Sequence, residues 1–255
     1  MGVNAVKTLI ALSFAVVSLA ASAANIVLVG DSTLAPRSES VRNGSWGDAL
    51  KPMLAEGNGI VNRAVGGRTV RTTLPGWTNS LEKISKGDFV IIQFGINDAA
   101  KNKLVEEDEF KKTVTRFADD VLAKGATPVV CSPISWAGYG KNGKAGDSFN
   151  EKHNASRRKY GDFAKAVAEA KKLDYVDMTS LTSAELAKIG RDAALECYLC
   201  DVTRDGKEVF DTTHPTKAGA KRFAELFIAD VRSRKLPIAK LFKEPEGQGS
   251  SKLKD

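Results

Sequence analysis

Soft metal ligands are scarce in this chain: its 255 residues include three cysteines and two histidines. The histidines, His153 and His214, stand far apart, and Cys197-x-x-Cys200 has no second C-x-x-C to complete a zinc site. That pair also lacks the strand-then-helix setting of a redox motif, so it is assigned no chemistry. Two states of the cysteines stay open: a Cys197–Cys200 disulfide with Cys131 alone in an apolar strand, or three thiols. Long hydrophobic runs are equally rare. The one in the chain, Thr8 to Ala20, is shorter than the roughly 20 residues a membrane helix needs. It follows a lone Lys7 and precedes Ala21-Ser22-Ala23, the layout of a secretory leader. Cleavage is expected after Ala23, giving an exported, secreted or periplasmic product without a stable membrane anchor. Charge of neither sign dominates: 38 Lys and Arg against 31 Asp and Glu give +7, one less once Lys7 is removed. Spread over helices that carry both lysine and glutamate, so small an excess is a solvated surface. It offers no footing for nucleic acid, although it would suit an acidic polymer.

What remains is 42% hydrophobic and 27% charged, the composition of one globular domain, expected over residues 24–243. A tail of Gly, Ser, Lys and Glu from Glu244 to Asp255 is expected to be disordered. Short apolar runs bounded by Gly, Asp or Pro give five strands: Ile26–Val29, Ile60–Val65, Phe89–Phe94, Thr127–Cys131 and Asp174–Met178. Helix-period segments fall between and after them, at Trp46–Leu54, Leu104–Lys124, His153–Lys172, Ala184–Ile189 and Lys217–Arg234. Asp192 to Glu208 has no clear period and reads as irregular. Alternation of strand and helix predicts a parallel sheet covered on both faces. The expected fold is a three-layer α/β/α sandwich with a five-stranded, flavodoxin-like sheet in the order 2-1-3-4-5.

In such a sheet, ligands bind beyond the carboxyl ends of the strands. Ser32 lies just past the end of the first strand and is a candidate nucleophile. Gly66-Gly67 follows the second strand and can aim a backbone N–H at an anion. Asn97 follows the third, placing a side-chain amide level with Ser32. A serine needs a base and a group to orient that base. His214 supplies the first, and Asp211, three residues earlier on an expected loop, can accept from its Nδ1–H. His153 stands among Lys152, Asn154, Arg157 and Arg158 at a polar helix start and has no such partner. A second Gly-Asp-Ser, ending at Ser148, follows no strand and is read as a decoy. The loop from Ser132 to Asn150 is long and carries Trp136 and Tyr139, a composition suited to shaping substrate access.

Gly30-Asp31-Ser32, Gly67, Gly95-x-Asn97-Asp98 and Asp211-x-x-His214 resemble, in order and spacing, the four blocks of the SGNH (GDSL-type) hydrolases. The likeness runs from Ile26 to the last helix. Gly30-Asp31-Ser32-Thr33, Gly44-x-Trp46-Gly47, Asn62-x-Ala64-x-Gly66-Gly67-Arg68-Thr69, Gly87-Asp88-Phe89-Val90 and Gln93-Phe94-Gly95 are most similar to the rhamnogalacturonan acetylesterase group. Ile96 departs from it, since many members carry His there. The resemblance implies a Ser32–His214–Asp211 triad and an oxyanion hole from the Ser32 N–H, the Gly67 N–H and the Asn97 side chain. It also implies that no cofactor or metal is needed. The expected partner is an acetylated plant cell-wall polysaccharide or oligosaccharide, of rhamnogalacturonan or xylan type. Trp46, Arg68 and Trp136 are candidate substrate contacts, with Trp77 and Tyr139 as further aromatics able to stack on sugars. Two other readings share these blocks: a lipid esterase or thioesterase, and a non-catalytic carbohydrate-binding protein on the same scaffold.

Overall fold

Ile26, Val27, Leu28 and Val29 are at most 1% exposed, so both faces of this strand must be covered. The computed structural model of the chain describes residues 23–38, 42–140, 149–204 and 207–245. The expected leader at 1–22, the second Gly-Asp-Ser and most of the expected tail lie outside the described residues. Strands β1 (Asn25–Gly30), β2 (Gly59–Asn62), β3 (Phe89–Gln93), β4 (Thr127–Cys131) and β5 (Asp174–Val176) form one parallel sheet. Its order is β2-β1-β3-β4-β5, as the alternating pattern predicts.

Among the described residues seven α-helices run in chain order: α1 (Val70–Thr73), α2 (Trp77–Leu81), α3 (Glu107–Ala123), α4 (Ala155–Lys171), α5 (Met178–Ile189), α6 (Arg191–Glu196) and α7 (Lys217–Ser233). Because strand side chains alternate between faces, each strand feeds two cores. Ile26, Leu28, Phe89, Ile91, Val129 and Val176 pack with Trp46 and with Phe223 and Phe227 of α7. On the other face, Val27, Val29, Val90, Ile92 and Val130 pack with Phe110, Val114 and Phe117 of α3 and Tyr160 of α4. Helices α1 to α4 therefore cover one face and α5 to α7 the other, giving three layers.

The main departure from the expected elements is at Asp192–Glu208. This stretch holds α6 and strand β6 (Tyr198–Arg204), which pairs antiparallel with β7 (Lys207–Pro215). Register shifts between Tyr198 and Leu199, and again before Val202, interrupt the alternation by which a strand is recognised. Asp211 and His214 consequently sit on a strand rather than on the expected loop. Smaller differences have local causes. The Trp46–Leu54 pattern becomes a 3-10 helix, Asp48–Met53, with Pro52, which has no N–H to donate, inside it. Helix α5 begins six residues before the expected Ala184 because the Asp177 carboxylate caps it, accepting from the Ser180 N–H.

Helix α7 is held close to the β6 end by Gly219. A Cβ there would stand 2.0 Å from the Cys197 carbonyl oxygen, which already accepts from the Thr216 N–H at 2.9 Å. Gly219→Ala therefore has to push α7 off its seat. It is expected to cost roughly 1–3 kcal/mol, as overpacking does, read as a lower urea midpoint. An unchanged midpoint would show that the helix slides free without loss.

Candidate active site

Strand β1 ends at Gly30, in register with Gln93, the last residue of β3. The chain then turns tightly, with the Asp31 carbonyl accepting from the N–H groups of Leu34 and Ala35. Asp31 Oδ1 accepts from both the N–H and the hydroxyl of Thr33, each at 3.0 Å. This fixes the backbone on either side of Ser32, which is 8% exposed at the rim of the sheet. Arg37 donates through Nη2 to the Ser32 carbonyl at 2.5 Å. Below the turn, Trp46 Nε1 donates to Gln93 Oε1 at 2.9 Å, and the Gln93 amide lies 3.2 Å from the Thr33 hydroxyl. The serine turn is thereby tied to the end of the central strand.

His214 arrives from β7. Its Nε2 is 2.9 Å from Ser32 Oγ, and its Nδ1 is 2.8 Å from Asp211 Oδ2. The other Asp211 oxygen accepts from the N–H groups of Thr213 and His214 at 2.9 and 3.0 Å. Burial pushes the Asp211 carboxyl up, but the hydrogen bond and charge of His214, with those two N–H groups, bring it below its ordinary value. As a carboxylate Asp211 can only accept, so the imidazole proton belongs on Nδ1 and the Nε2 lone pair faces the hydroxyl.

Gly66 passes close to the serine: a Cβ on it would lie 3.8 Å from Ser32 Cβ. Gly67 has φ of +75°, a conformation other residues adopt only with strain, and its carbonyl accepts from Lys103 Nζ at 2.9 Å. Among the described residues, neither the Ser32 N–H nor the Gly67 N–H donates to a backbone acceptor. Asn97 Nδ2 donates to the Arg68 carbonyl at 3.1 Å, which leaves the second hydrogen of that amide for another acceptor. Beneath it, Asp98 is fully buried and accepts from the N–H groups of Val70 and Gly95 at 2.9 and 3.0 Å. Burial pushes Asp98 up to about 7, against the pull of those two donors.

The structure thus brings Ser32, Asp211 and His214 into one hydrogen-bonded chain, with the Gly66-Gly67 turn beside it. The expected substrate contacts fare differently. Trp46 has no exposed surface and is a packing residue whose indole N–H serves Gln93, so it cannot stack on a sugar. The same correction applies to Trp77, 2% exposed with Nε1 on Asp120, and to Tyr139, 5% exposed against Phe149. Trp136 is half-buried and lies under the Arg157 guanidinium. Arg68 is exposed, with one nitrogen on the Thr72 carbonyl at 2.8 Å. Ile96, beside Asn97, is half-buried. Sequence reasoning passed over Arg37, Gln93 and Asp98 as site supports. For Asp98 the signal was present in Gly95-x-Asn97-Asp98, while Arg37 looked like any polar loop residue.

A family profile described as GDSL-like lipase/acylhydrolase matches residues 26–227, spanning the serine turn and reaching into α7. The chain belongs to that family. This GDSL-type esterase is 27% identical over 220 residues to a Bacillus subtilis (strain 168) protein named as a probable rhamnogalacturonan acetylesterase, YesY. That alignment covers 84% of this chain and 95% of YesY. Similarity to the rhamnogalacturonan acetylesterase RhgT of the same organism is also 27%, over 233 residues, covering 88% of this chain and 96% of RhgT. Among solved structures, Bacillus subtilis YxiM superposes with a TM-score of 0.68 at 28% identity, over 84% of this chain and 58% of that one. The acetylxylan esterase Axe2 of Geobacillus stearothermophilus shares the fold, with a TM-score of 0.59 at 22% identity over 82% of this chain and 94% of Axe2.

The esterase's buried Trp46–Gln93–Thr33 network makes a specific forecast. Gln93→Leu leaves the buried Trp46 N–H without its acceptor, while the Thr33 hydroxyl keeps Asp31 Oδ1, and is expected to cost roughly 1–3 kcal/mol. Adding Trp46→Phe removes one orphaned donor, so the double variant should lose less than the two single losses combined. Urea unfolding of all four proteins checks this. Strict additivity would mean that the indole and the amide are not coupled.

Proposed function

We propose that the chain is an exported serine esterase that removes O-acetyl groups from plant cell-wall polysaccharide through an acyl-enzyme. The observation that carries this reading is the continuous Asp211–His214–Ser32 hydrogen-bond chain at the rim of the sheet. Ser32 Oγ attacks the acetyl carbonyl while His214 Nε2 takes its proton. Asp211 keeps the ring oriented and stabilises the imidazolium that forms. His214 then returns the proton to the departing sugar alkoxide. Water, activated by the same imidazole, releases acetate from Ser32 in the second half of the cycle.

Negative charge appears on the carbonyl oxygen only as the tetrahedral species forms, so donors fixed in advance favour the transition state over bound substrate. The Ser32 N–H, the Gly67 N–H and the free hydrogen of the Asn97 amide are assigned to that oxygen. Support for the polysaccharide comes from the names of YesY, a probable rhamnogalacturonan acetylesterase, and RhgT, a rhamnogalacturonan acetylesterase, both aligned over most of their length. Export rests on the Lys7, Thr8–Ala20 and Ala21-Ser22-Ala23 pattern. Domain limits of 1–23 for the leader, 24–243 for the hydrolase and 244–255 for a tail complete the reading. Trp136 and Arg68 remain the proposed substrate contacts, both having exposed surface.

Ser32→Ala is expected to abolish hydrolysis of p-nitrophenyl acetate with an unchanged melting curve. Asn97→Ala should lower kcat by roughly 10²–10³, as loss of one oxyanion donor does. A fully active Ser32→Ala protein would overturn the assignment, and inactivation by Ser148→Ala in its place would point to the second Gly-Asp-Ser. Acetate release from acetylated rhamnogalacturonan and xylan tests the substrate. Faster turnover of long-chain p-nitrophenyl esters than of the acetate would favour the lipid esterase reading that the family's description admits.

A further inference from the structure

Arg157, on the first turn of α4, is 1% exposed, and none of its three guanidinium nitrogens has a hydrogen-bond partner among the described residues. The guanidinium stacks on the Trp136 ring, its carbon 5.0 Å from the ring centroid. A guanidinium stays charged in a protein, and a buried charge without partners costs several kcal/mol. Such a residue stands where an aliphatic side chain would pack at far less cost. The Trp136 loop on which it stacks is tied to β7, the Ala137 N–H donating to the Thr212 carbonyl at 3.1 Å, and one turn further along α4 Tyr160 packs against Gly95 just beyond the end of β3, where a Cβ on the glycine would lie 2.7 Å from the Tyr160 Cβ. Arg157 therefore stands between the two segments, and Asp31, Tyr198 and Asp211 oppose the effect of burial on its charge. Asp31 presents the matching anomaly. It is fully buried, and its Oδ2 has no hydrogen-bond partner among the described residues. Charged groups facing Asp31 are Arg157, Arg37 and Asp98, the last of like sign. Facing Asp211 are Arg157 and His214.

We propose that Arg157 is a positioning residue for the Ser32 site, its buried charge holding the Asp31 carboxylate behind the nucleophile turn and the Asp211 carboxylate behind His214. One cation thus serves both halves of the site, the end of β1 and strand β7. The stacked Trp136 ring fixes where that charge stands. This inference rests on the serine esterase reading for its kinetic consequences but not for its structural one.

The test uses the full chain with Arg157→Lys, Arg157→Met, Asp31→Asn and the double variant Arg157→Met/Asp31→Asn. Arg157→Met should lower kcat for p-nitrophenyl acetate by up to roughly 10²-fold, with KM little changed. Removing a positive charge raises the proton affinity of every group that faces it. The acidic limb of its kcat/KM profile should therefore move to higher pH, by roughly half a unit or more. Arg157→Lys, which keeps the charge and loses the planar stack, should keep the wild-type limb. A folded Arg157→Met protein with wild-type kcat and an unmoved limb would overturn the proposal. Should Arg157→Met melt too early for kinetics, the double variant decides, because Asp31→Asn removes the carboxylate left uncompensated. A double variant melting above Arg157→Met supports the coupling, and one melting at or below it overturns it. The melting cycle needs no activity, so an inactive wild-type protein would count against the esterase reading alone.

Discussion

The register of β1 between β2 and β3 is the constraint on which the rest depends. Gly30 lies opposite Gln93, and the ladder toward β2 continues past its last paired residue, with Arg63 donating to the Leu28 carbonyl and Val65 to the Gly30 carbonyl. Three chain segments therefore leave the sheet at one level, carrying Ser32, Gly67 and Asn97. A slip of one residue would turn Ile26 and Leu28 toward the opposite core and carry the serine turn away from the Gly66 backbone. The same apolar packing that stabilises the sheet thus sets the spacing of the polar groups above it.

His214 reaches the rim by a different route. Among the described residues, strands β6 and β7 pair with each other and with no strand of the main sheet, so their placement depends on contacts made outside any long ladder. The Ala137 N–H donates to the Thr212 carbonyl at 3.1 Å, the Thr216 N–H to the Cys197 carbonyl, and the Tyr198 hydroxyl to the Ser135 carbonyl. An isolated bridge between Asn43 and Thr216 adds a tie to the segment that follows the serine turn. Thr216 also caps α7, accepting from the Gly219 N–H, so the helix and the histidine share one anchor. A two-stranded ribbon is marginal alone. Here its position is fixed by the loop after β4, by α6 and by α7.

These two routes explain what was legible in the sequence. Buried parallel strands read as unbroken apolar runs rich in β-branched residues, and Ile26–Val29 and Phe89–Ile92 are such runs; strand order and the level of Ser32 and Asn97 follow from them. The β6–β7 pair is bulged and partly polar, so its strands carry no periodic signature, and Asp211 and His214 were visible as residue types without a visible support. Trp46 was misread because an aromatic near a candidate site in sequence fits a sugar platform and a core residue equally well. Its burial is decided by Phe227, far away on α7, and by an acceptor on Gln93. Arg157 is the hardest case. In sequence it stands among Lys152, Arg158 and Lys159 and looks like part of a solvated face, and only the docking of the Trp136 loop and β6 closes over it.

The proposed oxyanion donors show why so many polar groups are buried beneath the rim. Two are backbone N–H groups on different segments and one is a side-chain amide, and nothing in their own chemistry holds them in common geometry. Asn97 meets the Gly67 turn through the Arg68 carbonyl, and Asp98 clamps the Val70 and Gly95 N–H groups at once. The hydroxyl of Tyr160 in turn lies 2.8 and 2.6 Å from the carbonyl oxygens of Asp98 and Val105, its single proton serving one of them at a time. The loops after β2 and β3 therefore behave as one body. Burying a carboxylate such as Asp98 is unfavourable taken alone. In a site whose donors must be aligned before charge develops, that burial supplies the rigidity which water-exposed loops lack.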